Sequence, residues 1–198
     1  MAYDVTVRLI RHEKTKANID RKYIGITDES ILPSKVRRMT HEPTIVYGSC
    51  LNRCKETAAL YFPNAQYIAD MRFNELNFGD FEMKTYEELK DLPIYRSWID
   101  EPFFITPPNG ENMFQFEERV LQAFSHVVKD EGNYTFVVHG GVIRVLLAKY
   151  VATIHQFSEA VANHHIEYCL QWDTMEQLKE GQPCISYSEA YLTEKEPM

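Results

Sequence analysis

The chain has 198 residues, 44% of them hydrophobic and 25% charged, with a formal net charge of −8 at pH 7 and a pI near 5.4. These values fit one globular domain spanning residues 1–198 with a sizeable core. The acidic balance argues against nucleic acid or an acidic membrane surface as a partner, so local cations must hold any anionic ligand.

The four cysteines show neither CxxC nor zinc spacing, which predicts reduced thiols. No apolar run approaches the roughly 20 residues that cross a bilayer, and the N-terminus lacks a charged-then-apolar leader. We therefore expect a soluble, cytoplasmic protein without a membrane partner. A second copy of the chain, in a homodimer, stays open as a partner.

The opening stretch is an apolar run that ends in a guanidinium and an imidazole. Residues Val5 to Ile10 predict a buried strand, and Arg11 and His12 follow it directly. In open α/β sheets, ligands bind beyond the carboxyl ends of such strands. Imidazole can act as nucleophile, base or metal ligand, and a guanidinium fits phosphate or carboxylate oxygens. The pair indicates phosphoryl chemistry, although alone it also fits the ordinary start of a loop.

A second strand and helix repeat this design. Residues 44–48 predict a buried strand, and the helix after it carries Arg53 in its opening turn, where unpaired N–H groups favour an anion. An exposed helical arginine is the alternative interpretation. We interpret the neighbouring Cys54 as a packing residue and not as a nucleophile.

A third strand, over residues 135–138, delivers His139, and Gly140 with Gly141 allows a tight turn into the next helix. Two histidines at separate strand ends are then expected to face one another. A metal pair is the rival explanation, but no carboxylate stands at a spacing such as HExxH. We expect no metal and no cofactor.

The apolar and acidic segment from Met71 to Glu82 offers two carboxylates for proton transfer, Glu75 and Glu82. Among aromatic and aliphatic neighbours, desolvation raises a carboxyl pKa, as a general acid requires. Solvated loop charges are the alternative interpretation.

The clearest helix begins at Asn112, carries apolar residues at spacings of three and four, and is expected to end at Gly132. His164 and His165 are assigned to a loop. The remaining predictions are an edge strand at 64–69, closing strands at 167–172 and 184–191, and short helices at 33–39, 84–92, 95–99 and 155–162.

Four segments, in this order, resemble the histidine phosphatase superfamily, also called phosphoglycerate mutase-like. They are Leu9 to His12 with Thr15 and Asn18, Ser49 to Ala58 with Arg53, Asn74 to Gly79, and Val137 to Gly141. Within the superfamily, Phe78 to Met83, Pro108 to Glu111 and Phe116 to Val120 are most similar to the α-ribazole phosphatase branch of cobalamin synthesis.

The resemblance implies a three-layer α/β/α sandwich with a mixed central sheet and a small phosphorylated substrate. It also implies His12 as the nucleophile and Glu75 as the proton donor. The residues implied to bind phosphate are Arg11, Asn18, Gly25, Thr27, Arg53, His139 and Gly140, with Arg11, Arg53 and His139 also assisting catalysis. In that chemistry we expect His139 to stabilise the transferring phosphoryl group, preferably as an imidazolium.

The chain departs from the family pattern after the nucleophile, where the usual glycine is Glu13 and the next residue, often glutamate, is Lys14. A carboxylate about 4 Å from a phosphate would repel it by roughly 4 kcal/mol at an effective dielectric of 20. Glu13 pointing outward is the alternative. Three functions therefore stay open: a metal-independent phosphatase acting through a phosphohistidine, with α-ribazole 5′-phosphate favoured; a phosphoglycerate mutase; and a weakly catalytic protein that binds a phosphorylated ligand.

Overall fold

A mixed sheet forms the centre of the computed structural model, which describes residues 3–35, 37, 39 and 41–194. Within these residues the sheet has six strands in the order β3-β2-β4-β1-β5-β6. The first four of these run parallel to one another. At the other end, β5 pairs antiparallel with β1, and β6 pairs antiparallel with β5. The strands are β1 Val5–Arg11, β2 Ile45–Gly48, β3 Gln66–Ala69, β4 Gly132–Val138, β5 Ile166–Trp172 and β6 Ser186–Tyr191.

Helices follow several of these strands, and side chains cap the N-termini of four helices, at Thr15, Thr85, Asn112 and Thr174. Asn112 begins the longest helix by accepting a hydrogen bond from Phe114 N at 2.9 Å, as its sequence signal predicts. The helices are α1 Lys16–Ile19, α2 Asn52–Tyr61, α3 Tyr86–Leu89, α4 Pro93–Asp100, α5 Met113–Val127, α6 Gly140–Tyr150 and α7 Met175–Lys179, with 3₁₀ turns at Met71–Phe73 and Gly79–Phe81.

Side-chain alternation along the central strands builds the two faces of the sheet. Leu9 and Phe136 belong to the larger apolar core, under α5 and α6, whereas Ile10 and Val137 point to the other face and pack with α2. Burial of each such side chain contributes about 1.5–3 kcal/mol. The three-layer α/β/α fold with a mixed sheet is therefore confirmed.

Side chains of α3, α4 and the second 3₁₀ turn form a separate aromatic cluster. Phe81, Tyr95 and Trp98 are buried there, and the hydroxyl groups of Tyr23 and Tyr95 lie 2.6 Å apart. This cluster forms one wall of the cavity described below.

Three local predictions differ from the structure. The helix expected at 155–162 is wrong: the segment forms turns, in which the N–H of Glu159 donates to the Gln156 carbonyl oxygen three residues back, at 3.0 Å, and not to a residue four back. α5 ends at Val127, because Gly132 already begins β4. The helix expected at 33–39 falls partly on residues 36 and 38, outside the described residues, and Arg37 forms an isolated β-bridge with Glu194.

Across the described ranges, none of the helices combines the length and apolar character that crossing a bilayer requires.

Candidate active site

The carboxyl ends of β1 and β4 bring two histidines together. Arg11 pairs with Val138 in the parallel register, and the N–H of His12 donates to the Val138 carbonyl oxygen at 3.0 Å. The next residues along the two strands, His12 and His139, therefore lie side by side, with ring centroids 5.2 Å apart at 64°. Both side chains are buried.

Arg53 reaches the same place from the first turn of α2, because β2 ends beside β4 with Gly48 opposite Val137. Its Nε–H donates to Nδ1 of His139 at 3.2 Å, and its side chain is fully buried. Arg11, His12, Arg53 and His139 thus converge as the sequence predicts, and we call these four residues the phosphate cage.

His12 is held in one neutral tautomer. Its Nδ1 lies 2.7 Å from the carbonyl oxygen of Glu13, which can only accept, so Nδ1 carries the proton. Nε2 makes no hydrogen bond within the described residues and keeps its lone pair. Burial, followed by the charges of Arg53 and Arg11, lowers the pKa of His12 well below its usual value. The ring is therefore neutral at physiological pH.

His139 is also neutral, which corrects the expectation of an imidazolium at this position. Burial, with Arg53 and then His12, lowers the pKa of His139 well below its usual value. Because Nδ1 accepts from Arg53, Nε2 carries the proton and donates to the Ser49 hydroxyl at 2.8 Å. In this arrangement His139 orients Arg53.

Arg11 presents an unused donor to the cage. Its Nη1 donates to the Ala162 carbonyl oxygen at 2.8 Å, whereas Nε is buried without a partner among the described residues. The guanidinium lies against Gly140, where a Cβ atom would stand 3.1 Å from its Cζ. An orphaned buried N–H is costly and calls for a ligand. Gly140 thus gives Arg11 room beside the cage.

The structure separates the two candidate acids. Glu75 accepts hydrogen bonds from the N–H of Gly141 at 2.8 Å and of Leu76 at 3.0 Å, and it lines a cavity together with Arg11. Glu82 instead accepts from the N–H groups of residues 25–27, from the Thr27 hydroxyl at 2.7 Å and from Phe78 N. Glu75 is thus placed to reach a substrate, whereas Glu82 fixes a loop.

Gly25 and Thr27 contact the cage through their backbone carbonyl groups. Their carbonyl oxygens accept from Nη2 and Nη1 of Arg53 at 2.6 and 2.8 Å, while the Thr27 side chain bonds to Glu82. A Cβ atom on Gly25 would lie 1.9 Å from a backbone oxygen, so this contact needs glycine. Asn18 closes the capping box of α1 with Thr15 and lines a groove beside Arg11.

The chain is similar to known proteins in sequence and in fold. The sequence model of the histidine phosphatase superfamily (branch 1) matches residues 7–174. The chain belongs to this superfamily. A protein of Escherichia coli (strain K12) named adenosylcobalamin/alpha-ribazole phosphatase is 30% identical to this histidine phosphatase over 161 residues, 72% of this chain and 77% of the relative.

A protein of the same name from Salmonella typhimurium is 31% identical over 156 residues, 71% of this chain and 77% of the relative. The crystal structure of the alpha-ribazole phosphatase from Shigella flexneri shares the fold with a TM-score of 0.77 at 21% identity, covering 95% of this chain and 96% of that one. The resemblance to this branch of the histidine phosphatases is therefore confirmed.

Glu13, where histidine phosphatases usually have glycine, points away from the cage. Its carboxylate accepts hydrogen bonds from the Tyr61 hydroxyl, from His165 Nε2 at 2.8 Å and from Arg37 Nε at 3.4 Å. Burial alone raises the pKa of Glu13, but these hydrogen bonds and the charges of His165 and Arg37 outweigh it and lower that pKa. The glutamate is thus accommodated outside the phosphate site.

Three residues that shape this histidine phosphatase site were not predicted from the sequence. Arg119 donates to the carbonyl oxygens of Asn74 and Glu75 and pairs with Glu111, so it positions the loop that carries Glu75. His164 lies with its ring 5.7 Å from that of His12 and donates from Nδ1 to the His12 carbonyl oxygen at 2.8 Å. Arg144 lies one helical turn after Gly140 in α6, on the same side of the helix. The sequence could have identified it as a site residue from that spacing.

Burial, then the charge of Arg11, lowers the pKa of His164 to about 3, so this third ring is neutral as well. Burial also raises the pKa of Cys54 to about 12, which agrees with its interpretation as a packing residue. Among the described residues, no group of three or more His, Cys, Asp or Glu side chains is arranged to hold a metal ion.

A cavity of about 580 Å³ opens beside Glu75 and Arg11, and we call it the apolar cavity. Arg144 lies in its wall with its guanidinium carbon 4.1 Å from the Phe157 ring centroid. Most of the other lining side chains are apolar or aromatic, among them Tyr23, Phe78, Trp98, Phe103, Met113 and Phe116.

Replacing Glu13 by glutamine tests its outward placement. Three donors would lose a charged acceptor, so we expect the Glu13→Gln free energy of unfolding at pH 7 to fall by about 1–3 kcal/mol in urea. Glu194→Gln, at an exposed partner of Arg37, is the matched control and should change it much less.

The effect of Glu13→Gln should also depend on pH. Because the folded-state pKa of Glu13 is lowered, its contribution is complete above the usual glutamate value of about 4.3 and is lost as the pH falls through the lower folded value. Wild type and variant should therefore converge only once the pH has fallen below the lowered folded-state pKa of Glu13. A markedly lower KM for a phosphomonoester in Glu13→Gln would contradict the placement, since it would reveal repulsion of the substrate.

Proposed function

We propose that this chain is a metal-independent phosphatase that transfers the phosphoryl group of a small phosphomonoester to His12 and then to water. The free Nε2 of His12, in a buried ring that the charges of Arg53 and Arg11 act on, is the observation that carries this proposal. The proposed nucleophile and Arg11 come from the end of β1, whereas Arg53 comes from the helix that follows β2.

In the first step, the phosphate dianion is attracted to Arg11 and Arg53, whose N–H groups neutralise its nonbridging oxygens. The Nε2 lone pair of His12 attacks phosphorus in line, the N–P bond forms, and the P–O ester bond breaks. Protonated Glu75 gives its proton to the departing alkoxide. Removing one positioned donor from such a site typically raises the barrier by about 2.7–4 kcal/mol.

In the second step, a water molecule attacks the phosphorus of phosphohistidine while the Glu75 carboxylate takes its proton. The N–P bond breaks, inorganic phosphate forms, and His12 recovers its lone pair. The Nδ1–H bond to the Glu13 carbonyl oxygen persists throughout and keeps the ring in the reactive orientation.

The apolar cavity supports a bulky, largely apolar or aromatic alcohol as the leaving group. It adjoins Glu75, the group that must protonate the leaving oxygen, and its volume suits a drug-sized ligand. α-Ribazole 5′-phosphate, which carries a fused aromatic base, is the favoured substrate, in agreement with the names of the relatives.

The two other candidate functions have less support. Phosphoglycerate is small and carries a carboxylate as well as its phosphate, and the mostly apolar wall beside Glu75 matches it poorly. The binding-only function relied on Glu13 disturbing the phosphate, but the carboxylate of Glu13 is bonded elsewhere.

A panel of phosphomonoesters tests the proposed function. We expect release of inorganic phosphate from α-ribazole 5′-phosphate with a higher kcat/KM than from phosphoserine or 3-phosphoglycerate, and the same rates in excess chelator. Conversion of 3-phosphoglycerate to its isomer without phosphate release would favour the mutase. Activity lost to chelator and restored only by a divalent cation would refute metal independence.

Replacing Glu75 by glutamine tests its role as the acid. An alkyl ester needs protonation of its leaving oxygen, so Glu75→Gln should lower its kcat by about 10²–10⁴-fold while slowing p-nitrophenyl phosphate far less. Glu82→Gln is the matched control: it loosens the 25–27 loop and should affect both esters alike. If Glu82→Gln alone discriminates between the esters, Glu82 is the acid.

A further inference from the structure

A groove of about 600 Å³ adjoins the phosphate cage, and it shares Arg11 and Tyr23 with the apolar cavity. We call it the basic groove. Of the described residues that line it, none carries a carboxylate, although the whole chain is acidic. Its polar lining residues include Arg11, Lys14, Asn18, Arg21, Lys22 and His164.

Three cations of the basic groove make no hydrogen bond or ion pair with other side chains in the described part of the chain. They are Lys14, Arg21 and Lys22. The carboxylates nearby are engaged elsewhere: Asp20 pairs with Lys16 at 2.7 Å, and Glu88 accepts from the N–H and hydroxyl of Thr85.

The local backbone also directs these side chains. Arg21 has a positive φ of 55°, which is uncommon for a residue other than glycine, and the next N–H, that of Lys22, donates to the Ala17 carbonyl oxygen at 2.9 Å. The turn after α1 thereby sets two cations in sequence along the groove. Lys14 adds a third, at a position that is often acidic in the superfamily.

The groove is continuous with the cage through Arg11, whose buried Nε has no partner among the described residues, and through His164, which contacts both. An anion that fills the cage is therefore next to a row of unpaired cations. Their combined field favours a ligand that extends its negative charge in this direction.

We infer that the basic groove binds a second phosphoryl group, belonging to a molecule whose terminal phosphate occupies the cage. The inference rests on the proposed function in one respect, that the cage holds a phosphoryl group. The expected ligands are diphosphate-type compounds. They would act either as substrates or as inhibitors that compete with the phosphomonoester.

Binding measurements separate this inference from catalysis. Isothermal titration calorimetry at fixed ionic strength would compare imidodiphosphate, which resists hydrolysis, with inorganic phosphate. We expect imidodiphosphate to bind the wild type at least about tenfold more tightly. Lys14→Glu should reduce this ratio at least about fivefold, whereas Lys14→Arg should keep it.

Lys16→Glu is the matched control, since it makes the same charge change two residues away on a side chain that faces Asp20 and not the groove. An unchanged ratio in Lys14→Glu, or an equal loss in Lys16→Glu, would overturn the inference. Turnover of p-nitrophenyl phosphate, measured separately on the wild type, reports on the proposed function. If the wild type shows no turnover but still binds imidodiphosphate more tightly than phosphate by the expected ratio, the proposed phosphatase function is refuted. The inference about the basic groove would then still hold.

Discussion

The parallel pairing of β1 with β4, with Arg11 opposite Val138, is the constraint on which the site depends. It sets His12 and His139 at the same level beyond two adjacent strands, and the bond from His12 N to the Val138 carbonyl oxygen extends the pairing by one residue. A slip of one residue would turn every side chain of β1 to the opposite face. Such a slip would turn Thr6 and Arg8 into the larger core, where Val5, Val7 and Leu9 pack, so these residues fix the register and with it the position of His12.

The charge arrangement of the cage follows from that packing. Arg11 and Arg53 are brought together away from water, and burial lowers the pKa of each. Glu75 partly offsets this effect, and carbonyl oxygens accept hydrogen bonds from both guanidiniums. Among the described residues, the Nε–H of Arg11 in the cage has no hydrogen-bond partner. Two buried guanidiniums fixed beside a neutral imidazole support the proposed binding of a phosphate dianion, because such groups need no reorganisation when the ligand arrives.

The sequence predicts those parts of the site that follow from local pattern. Apolar runs that end in Arg11-His12 and His139 reveal the strand ends, and Asn112 marks the start of α5. It could not predict the direction of Glu13, because the partners of that carboxylate, Tyr61 and His165, come from distant segments. Likewise, the alternatives Glu75 and Glu82 look alike in one loop and differ only in their tertiary hydrogen bonds.

The central claim is that His12 attacks through Nε2, because the Glu13 carbonyl oxygen holds the proton on Nδ1. The most direct measurement is heteronuclear NMR of ¹⁵N-histidine-labelled protein during turnover, which identifies the phosphorylated residue and nitrogen through ³¹P–¹⁵N coupling. We expect phosphorus on Nε2 of His12 and no such signal in His12→Asn. Phosphorus on Nδ1, on another residue, or on none while turnover continues would contradict it.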